Sequence, residues 1–140
     1  MFNLANFIYK KAKQAILNGQ INISANQYKV LFLKNSLYTP NQNLDEFVSD
    51  IPSSAIAQRS SNIPNITNTL GVIDGDDIII DNYNGGTFEA IAFYQVGSSD
   101  SNSRLIFYID TSEGLPYVVT ANNTTVTILW SNEINKILAI

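Results

Sequence analysis

The chain of 140 residues contains neither cysteine nor histidine. Without cysteine it can form no disulfide, no thiolate nucleophile and no cysteine-ligated metal site. Without histidine it lacks the side chain that most often serves as a general base and as a transition-metal ligand. The absence of cysteine also fits synthesis in a reducing cytoplasm. The commonest enzymatic and metal-binding arrangements are therefore excluded.

Charge is scarce as well: Asp, Glu, Lys and Arg make up 14% of the residues, and the net charge is −4. Nucleic-acid-binding domains use a basic surface to displace counterions from phosphates, so we expect no nucleic acid among the partners. Lys10, Lys11 and Lys13 lie close together and are interpreted as a solvated helix face. Asn, Ser and Thr take the place of charged residues, and such a surface suits contact with other proteins.

No apolar run is long enough to span a bilayer, and we expect no membrane association. The first lysines follow the apolar N-terminal residues, whereas a secretion signal has the opposite order. Apolar residues make up 45% of the chain, enough for one core. We predict a single domain over residues 1–140, with an N-terminal helix at 1–19, a β domain at 20–130 and a tail at 131–140.

The N-terminal helix is predicted from apolar residues at helical spacing. Asn3 is a candidate N-cap, and Asn18 followed by Gly19 is a typical helix end. The apolar stripe consists of Leu4, Phe7, Ile8, Ala12, Ala15 and Ile16.

The rest of the chain is predicted to be mainly β, because short alternating or apolar segments are separated by turn-forming residues. The pattern favours an antiparallel β-sandwich or open barrel with the helix packed against it. Strands are predicted at residues 28–33, 55–59, 69–73, 78–80, 88–95, 104–110, 115–120 and 124–130, and helical turns at 44–48.

The one grouping that suggests a cation is a cluster of carboxylates, Asp74, Asp76, Asp77 and Asp81. Calcium takes six to eight oxygen ligands, and closely spaced Asp residues can supply several. The spacing departs from that of an EF-hand loop, however, and Asp residues also stabilise turns by bonding to nearby backbone. We therefore predict a turn without a metal, and the alternative interpretation of the same four residues is a metal site.

The aromatic residues have both a structural and a functional interpretation. Aromatic residues at several predicted strands either pack across the sheet or line a sugar-binding surface. They are Tyr38, Tyr83, Tyr94, Tyr108 and Tyr117.

The C-terminal tail is predicted to form a last helical turn, capped near residues 131–133. Its apolar face either folds back onto the core or docks onto a neighbouring subunit. The candidate interface residues are Ile134, Ile137, Leu138 and Ile140.

No sequence motif indicates catalysis. There is no phosphate-binding glycine loop and no dinucleotide fingerprint, since Gly85 and Gly86 stand alone between strands. A nucleophilic serine would need a lysine partner, and no such motif is present. We expect no enzymatic activity and no cofactor.

Nine short segments follow one another along the chain in a distinctive order. They are Gly19, Lys-Val-Leu-Phe at 29–32, Tyr-Thr-Pro at 38–40, Phe47, Ser-Asp at 49–50, Asp-Asp at 76–77, Ala-Ile-Ala-Phe-Tyr at 90–94, Tyr-Ile-Asp at 108–110 and Thr-Ile-Leu-Trp at 127–130. In this shared order, the chain resembles over most of its length a family of short virion proteins of tailed bacteriophages. The chain departs from the family at residues 59–64, where a Gly-rich turn is usual, and it continues for ten residues past Trp130.

The resemblance implies a non-enzymatic structural protein made in the host bacterial cytoplasm and carried on the virion. A head fiber or capsid decoration protein is the favoured expectation, with the major capsid protein or an auxiliary capsid protein as partner. The chain is expected to be a homo-oligomer, with a trimer favoured. The alternative is a minor tail protein or an adhesin that contacts glycans on the host surface.

Overall fold

The structure is a computed structural model that describes residues 6–131 and 137–139. These residues contain one α-helix, α1 (Lys10–Leu17), and ten strands. The strands are β1 (Phe7–Ile8), β2 (Tyr28–Leu33), β3 (Ile56–Arg59), β4 (Thr67–Thr69), β5 (Val72–Asp74), β6 (Ile78–Tyr83), β7 (Ala90–Gln95), β8 (Arg104–Ile109), β9 (Thr124–Ile128) and β10 (Leu138–Ala139). Short 3₁₀ turns lie at Val48–Asp50, Ser53–Ala55 and Asp100–Asn102.

The predicted fold class is confirmed. The described residues form mainly β structure with one helix near the N-terminus, and all strand pairs are antiparallel, as in a β-sandwich or open barrel. The strands make a five-stranded sheet in the order β1-β8-β7-β2-β3, a three-stranded sheet β10-β5-β4 and a two-stranded ribbon β6-β9. One hydrophobic core draws residues from all three sheets.

The five-stranded sheet is buried on both faces at its centre. Four consecutive β2 residues, from Val30 to Leu33, are fully buried, and β7 is buried from Ala90 to Tyr94. Rings stack across neighbouring strands, with Phe93 centred 5.2 Å from Tyr28 and 4.9 Å from Phe107. A strand covered on both faces reads as a continuous apolar run, which is why β2 is predicted correctly.

The helix begins later than predicted. Phe7 and Ile8 belong to β1, which pairs with β8, because the Phe7 ring stacks on Tyr108 and the edge of the sheet offers backbone partners. The pairing of β1 therefore overrides the helical spacing of these two residues. The helix ends as predicted, with Asn18 as its C-cap and Gly19 at φ +72°. Asn3 and Leu4 lie outside the described residues.

Three other predicted elements are wrong in position. Residues 115–120 form no strand, only a single bridge between Tyr117 and Phe88. The expected strand at 69–73 is instead the hairpin β4–β5, which turns at Leu70 and Gly71, both with positive φ. The helical turn expected at 44–48 lies at Val48–Asp50, because the Asp50 carboxylate accepts hydrogen bonds from the N–H groups of residues 46 and 47.

Candidate functional site

The carboxylates predicted as a turn lie around the start of β6, and each of the first three accepts a hydrogen bond. Asp74 accepts one from the N–H of Gly75 at 2.9 Å, as in a structural turn. Asp76 accepts one from the side-chain amide of Asn65 at 2.8 Å, and Asp77 accepts one from the backbone N–H of Trp130 at 2.8 Å. These two bonds tie the turn to more distant parts of the chain.

Asp81 lies farther along β6 and is exposed. Within residues 6–131 and 137–139, the structure groups no three acidic side chains as a metal site would require. A polar cavity of about 380 Å³ beside the turn is lined by Asp74, Asp76 and Asp77 together with the end of β9. Asp81 is not among its lining residues, so the four candidates do not converge.

Trp130 ties this acidic turn to the end of β9. Its indole Nε1–H donates to the carbonyl of Asp76 at 3.0 Å, while its backbone N–H is held by the Asp77 carboxylate. Both bonds span more than fifty residues of sequence and fix β6 and β9 relative to one another. The ribbon is therefore closed at this end by side chains as well as by its ladder of backbone bonds.

The ribbon of β6 and β9 has one buried and one exposed face. Ile78 and Val126 point into the core, and the neighbouring residues point outward. The exposed set, called here the ribbon face, consists of Asp77, Ile79, Asp81, Thr125, Thr127 and Leu129. Ile79 lies opposite Thr127 in the antiparallel register. Ile79 is 62% exposed and Leu129 73% exposed, so the face carries two apolar side chains, and the carboxylates of Asp77 and Asp81 lie two residues before and after Ile79.

A second exposed surface lies on α1. Residues spaced three and four apart on a helix share one face, and four such residues of α1 are exposed: Lys10, Lys13, Gln14 and Leu17. We call this set the helix face. Leu17 is 86% exposed, and the opposite side of the helix buries Ala12 and Ala15 in the core. The lysines form no ion pair with any residue in the described part of the chain, where the salt bridges join Arg59 to Asp100 and Arg104 to Glu46.

An open cavity of about 630 Å³ lies between the five-stranded sheet and the end of β9. Phe88 and Ile91 contribute to its floor, while Leu115, Tyr117 and Trp130 line its sides. Glu113 is the one charged residue among the described residues that line it. The arrangement is an apolar recess, and it brings no pair of acids together for acid–base chemistry.

Of the five tyrosines considered for a sugar-binding surface, four lie inside the fold. Tyr38, Tyr83, Tyr94 and Tyr108 are buried, and Tyr117 is half-buried and stacks on Phe88 at 5.2 Å. Their role is to pack the sheet, which was the structural interpretation of these residues.

One of these tyrosines belongs to a buried chain of hydrogen bonds. The Tyr38 hydroxyl donates to the Asp45 carboxylate at 2.6 Å and pairs with the hydroxyl of Tyr9 at 3.0 Å. Burial, followed by the nearby Tyr9 and Asp45, raises the pKa of Tyr38 well above its usual range. Burial also raises the pKa of Tyr9. Both hydroxyls therefore stay protonated, and the network joins the start of α1 to the loop at 38–45 as a structural link.

The C-terminal candidates divide into two groups. Ile137 is buried in the chain's own core, and Leu138 is half-buried in β10, where it pairs with Ile73 of β5. Residues 138 and 139 are therefore extended, and the helical turn predicted for the tail is wrong at these positions. Ile134 and Ile140 lie outside the described residues, and the interface interpretation of the tail stays a prediction.

Sequence reasoning did not identify the ribbon face. The signal for it is the alternation along residues 77–81, where Asp77, Ile79 and Asp81 fall on one side of a strand. The position of Leu129 beside them depends on the pairing of β6 with β9, which are separated by more than forty residues. The helix face has a clearer signal, since its polar residues lie off the predicted apolar stripe.

Comparison with known protein families and with curated proteins finds no match to this chain. In the described residues, no helix has both the length and the apolar character needed to cross a membrane.

Proposed function

We propose that this protein is a non-enzymatic structural component of a tailed-bacteriophage virion, a head fiber or capsid decoration protein attached to the capsid as an oligomer. The observation that carries the proposal is the order of segments that resembles the short virion proteins, from Gly19 to Trp130. The proposed partners are the major capsid protein or an auxiliary capsid protein. The proposed location is the outer capsid surface.

The exposed surface supports this proposal. Two large apolar side chains, Ile79 and Leu129, stand on an ordered ribbon and are more than half exposed. Exposed apolar residues grouped on a rigid element are typical of protein contact surfaces. The low charge of the chain reduces the repulsion that many copies would experience on one shell.

In this proposal, the affinity for the capsid comes from many identical contacts with its lattice. A decoration protein contacts a lattice in which the same site recurs, so small contacts made by linked copies add together. The protein acts through the surface that it presents, and no bond is made or broken. The burial of four tyrosines leaves the glycan-binding alternative without the aromatic surface on which it rested.

The test is to recover the chain on purified phage particles. Particles are banded on a density gradient, and their proteins are quantified by mass spectrometry relative to the major capsid protein. We expect the chain in many copies per particle, and on tailless heads as well as on whole virions. Particles lacking its gene should recover the protein when the purified chain is added back.

Two results would contradict the proposal. Absence of the chain from banded particles would remove the virion role altogether. Recovery on isolated tails and not on heads would replace the capsid assignment with the minor tail protein alternative. Cryo-electron density of particles with and without the gene separates these cases directly.

A further inference from the structure

We propose that copies of this chain associate head to tail, with the helix face of one copy seated on the ribbon face of the next. The helix face is Lys10, Lys13, Gln14 and Leu17, and the ribbon face includes the apolar residues Ile79 and Leu129 and the acids Asp77 and Asp81. The inference concerns contact between copies and goes beyond the proposed attachment to a capsid.

The two faces have complementary charge. The helix face carries two lysines and no acid, and these lysines form no ion pair with a described residue of their own chain. The ribbon face carries Asp77 and Asp81 and no base. Charges of opposite sign on two surfaces steer encounter and set the orientation of the complex.

Each face also carries large apolar side chains that the other described residues leave exposed. Leu17 projects from the helix with 86% of its surface exposed. On the ribbon, Ile79 lies opposite Thr127, and the exposed Leu129 follows two residues after Thr127. Placing one leucine over two branched apolar residues removes all three from water. This contact supplies the hydrophobic part of the association.

The dimensions of the two faces match. Lys10 and Leu17 are separated by about 10 Å along the helix, at 1.5 Å per residue. Asp77 and Asp81 are separated by about 13 Å along β6, with Ile79 midway, at 3.3 Å per residue. With Leu17 over Ile79, Lys13 lies about 6 Å along the helix and Asp81 about 7 Å along the strand, within reach of a salt bridge.

The two faces are different surfaces, so one copy can use both at once. A heterologous contact of this kind gives a closed ring when the rotation between copies completes a circle, and an open chain otherwise. One two-turn helix on a two-stranded ribbon buries much less than the roughly 1,600 Å² of a standard interface. Association of free copies is therefore weak, and it is strengthened where copies are held together on a lattice.

The main test uses sedimentation velocity over a concentration series at low salt, with three forms of the full chain. Wild type should form species larger than a monomer as concentration rises, and added salt should reverse this. A helix-face variant, Lys10→Glu with Lys13→Glu, and a ribbon-face variant, Asp81→Lys, should each lose self-association by about ten-fold or more. Lys29→Glu with Lys34→Glu makes the same change in net charge away from both faces and should self-associate more than the helix-face variant does.

Mixing the two face variants distinguishes the head-to-tail arrangement from other kinds of association. The helix-face variant keeps an intact ribbon, and the ribbon-face variant keeps an intact helix. Their mixture should recover self-association, because the two intact faces can pair and the reversed charges on the two altered faces also attract one another. A symmetric contact through a single patch would give no such recovery, and that result would overturn the proposal.

A second measurement needs no variant. Zero-length carbodiimide coupling of wild type, mixed from isotopically light and heavy copies, should join Lys10 or Lys13 of one copy to Asp81 of another. Cross-links found only within one chain, or a wild type that remains monomeric at every concentration, would overturn the contact. A monomeric chain recovered on capsids would overturn this contact and the oligomeric part of the proposed function but keep the capsid attachment, so the two proposals can be distinguished.

Discussion

The five-stranded sheet and the ribbon of β6 and β9 contain similar apolar residues but expose them to solvent differently. The centre of the sheet covers both faces of β2 and β7 with other parts of the chain, and its rings stack from strand to strand. The ribbon buries one face and leaves Ile79 and Leu129 in water on the other. Apolar side chains in the sheet stabilise the fold, whereas those on the ribbon face contribute little to it.

The difference also appears in the polar residues. Asp77 holds the backbone of Trp130 and so belongs to the structure, while Asp81, four residues later on the same face, has no partner among the described residues. In the sheet, the buried Ser60 accepts a hydrogen bond from the N–H of Val30 and donates to the carbonyl of Ser61. Polar groups of the sheet are satisfied internally, and the ribbon presents some of its own to solvent.

The largest difference is expected when an apolar side chain is truncated in each region. Phe93→Ala removes a fully buried ring that contacts Tyr28 and Phe107, and it should lower the free energy of unfolding by about 3–5 kcal/mol. Ile79→Ala on the ribbon face is the matched control, and it should cost less than about 1 kcal/mol. Urea unfolding monitored by circular dichroism measures both. Equal losses would show that the ribbon face is covered within the folded chain.

A smaller effect is expected in the hydrogen-bond chain that links α1 to the following loop. Tyr38→Phe removes the hydroxyl that contacts both Tyr9 and Asp45, and it leaves the buried Tyr9 hydroxyl without its partner. The free energy of unfolding should fall by about 1–3 kcal/mol.

Tyr28→Phe is the control for this variant. The Tyr28 hydroxyl donates to the carbonyl of Asn22, an exposed residue whose carbonyl water can satisfy when the hydroxyl is removed. The loss should therefore be no more than about 1 kcal/mol. Thermal unfolding of the two variants side by side measures the difference, and a larger loss for Tyr28→Phe would contradict the role of the buried chain.

How far the sequence predicts the fold depends on whether an element is specified locally. The continuous apolar run of β2 and the Asn18–Gly19 helix end are local signals, and both are where they were predicted. The acidic turn before β6 is local in part, since Asp74 bonds to the adjacent Gly75, whereas Asp76 bonds to Asn65 and Asp77 to the distant Trp130. Elements that are specified locally need no knowledge of the rest of the chain.

The errors fall where a distant partner decides the conformation. Phe7 and Ile8 have helical spacing, yet they extend to pair with β8, a hundred residues away. Residues 115–120 alternate like a strand, yet among them Tyr117 alone forms a β-bridge, with Phe88. Long-range pairing overrides local propensity in both cases.

The candidate site divides in the same way. The helix face can be read from helical spacing alone, because Lys10 and Lys13 lie off the apolar stripe. The ribbon face requires the register between β6 and β9, which places Thr127 opposite Ile79, and the bond from the Trp130 N–H to Asp77, which holds the residues after β9 near that acid. No local pattern contains that register, and so the acidic residues alone suggested a cation site and not a contact surface.

The smallest expected change in the free energy of unfolding comes from replacing Asp100, which pairs with an arginine at the edge of the sheet. Arg59, in the edge strand β3, makes two hydrogen bonds of 2.7 Å to Asp100, and both side chains are more than a third exposed. The hydrogen bond from Arg59 lowers the pKa of Asp100. Because solvent screens such a pair, Asp100→Asn should cost less than about 1 kcal/mol at neutral pH.

The stabilisation by Asp100 should depend on pH, and the lowered pKa of its carboxyl sets the direction of that dependence. A carboxyl whose pKa is lower in the folded than in the unfolded chain stabilises the fold above its unfolded pKa, and that stabilisation is lost as pH falls through the folded pKa. The difference between wild type and Asp100→Asn should therefore be complete at pH 7, begin to shrink near about pH 4 and vanish once the pH falls below the lowered folded pKa. Asp81→Asn removes the same charge from the ribbon without breaking an ion pair, and unfolding curves across this pH range should show no such step. A step of equal size for both variants would mean that net charge, and not the contact with Arg59, controls stability in acid.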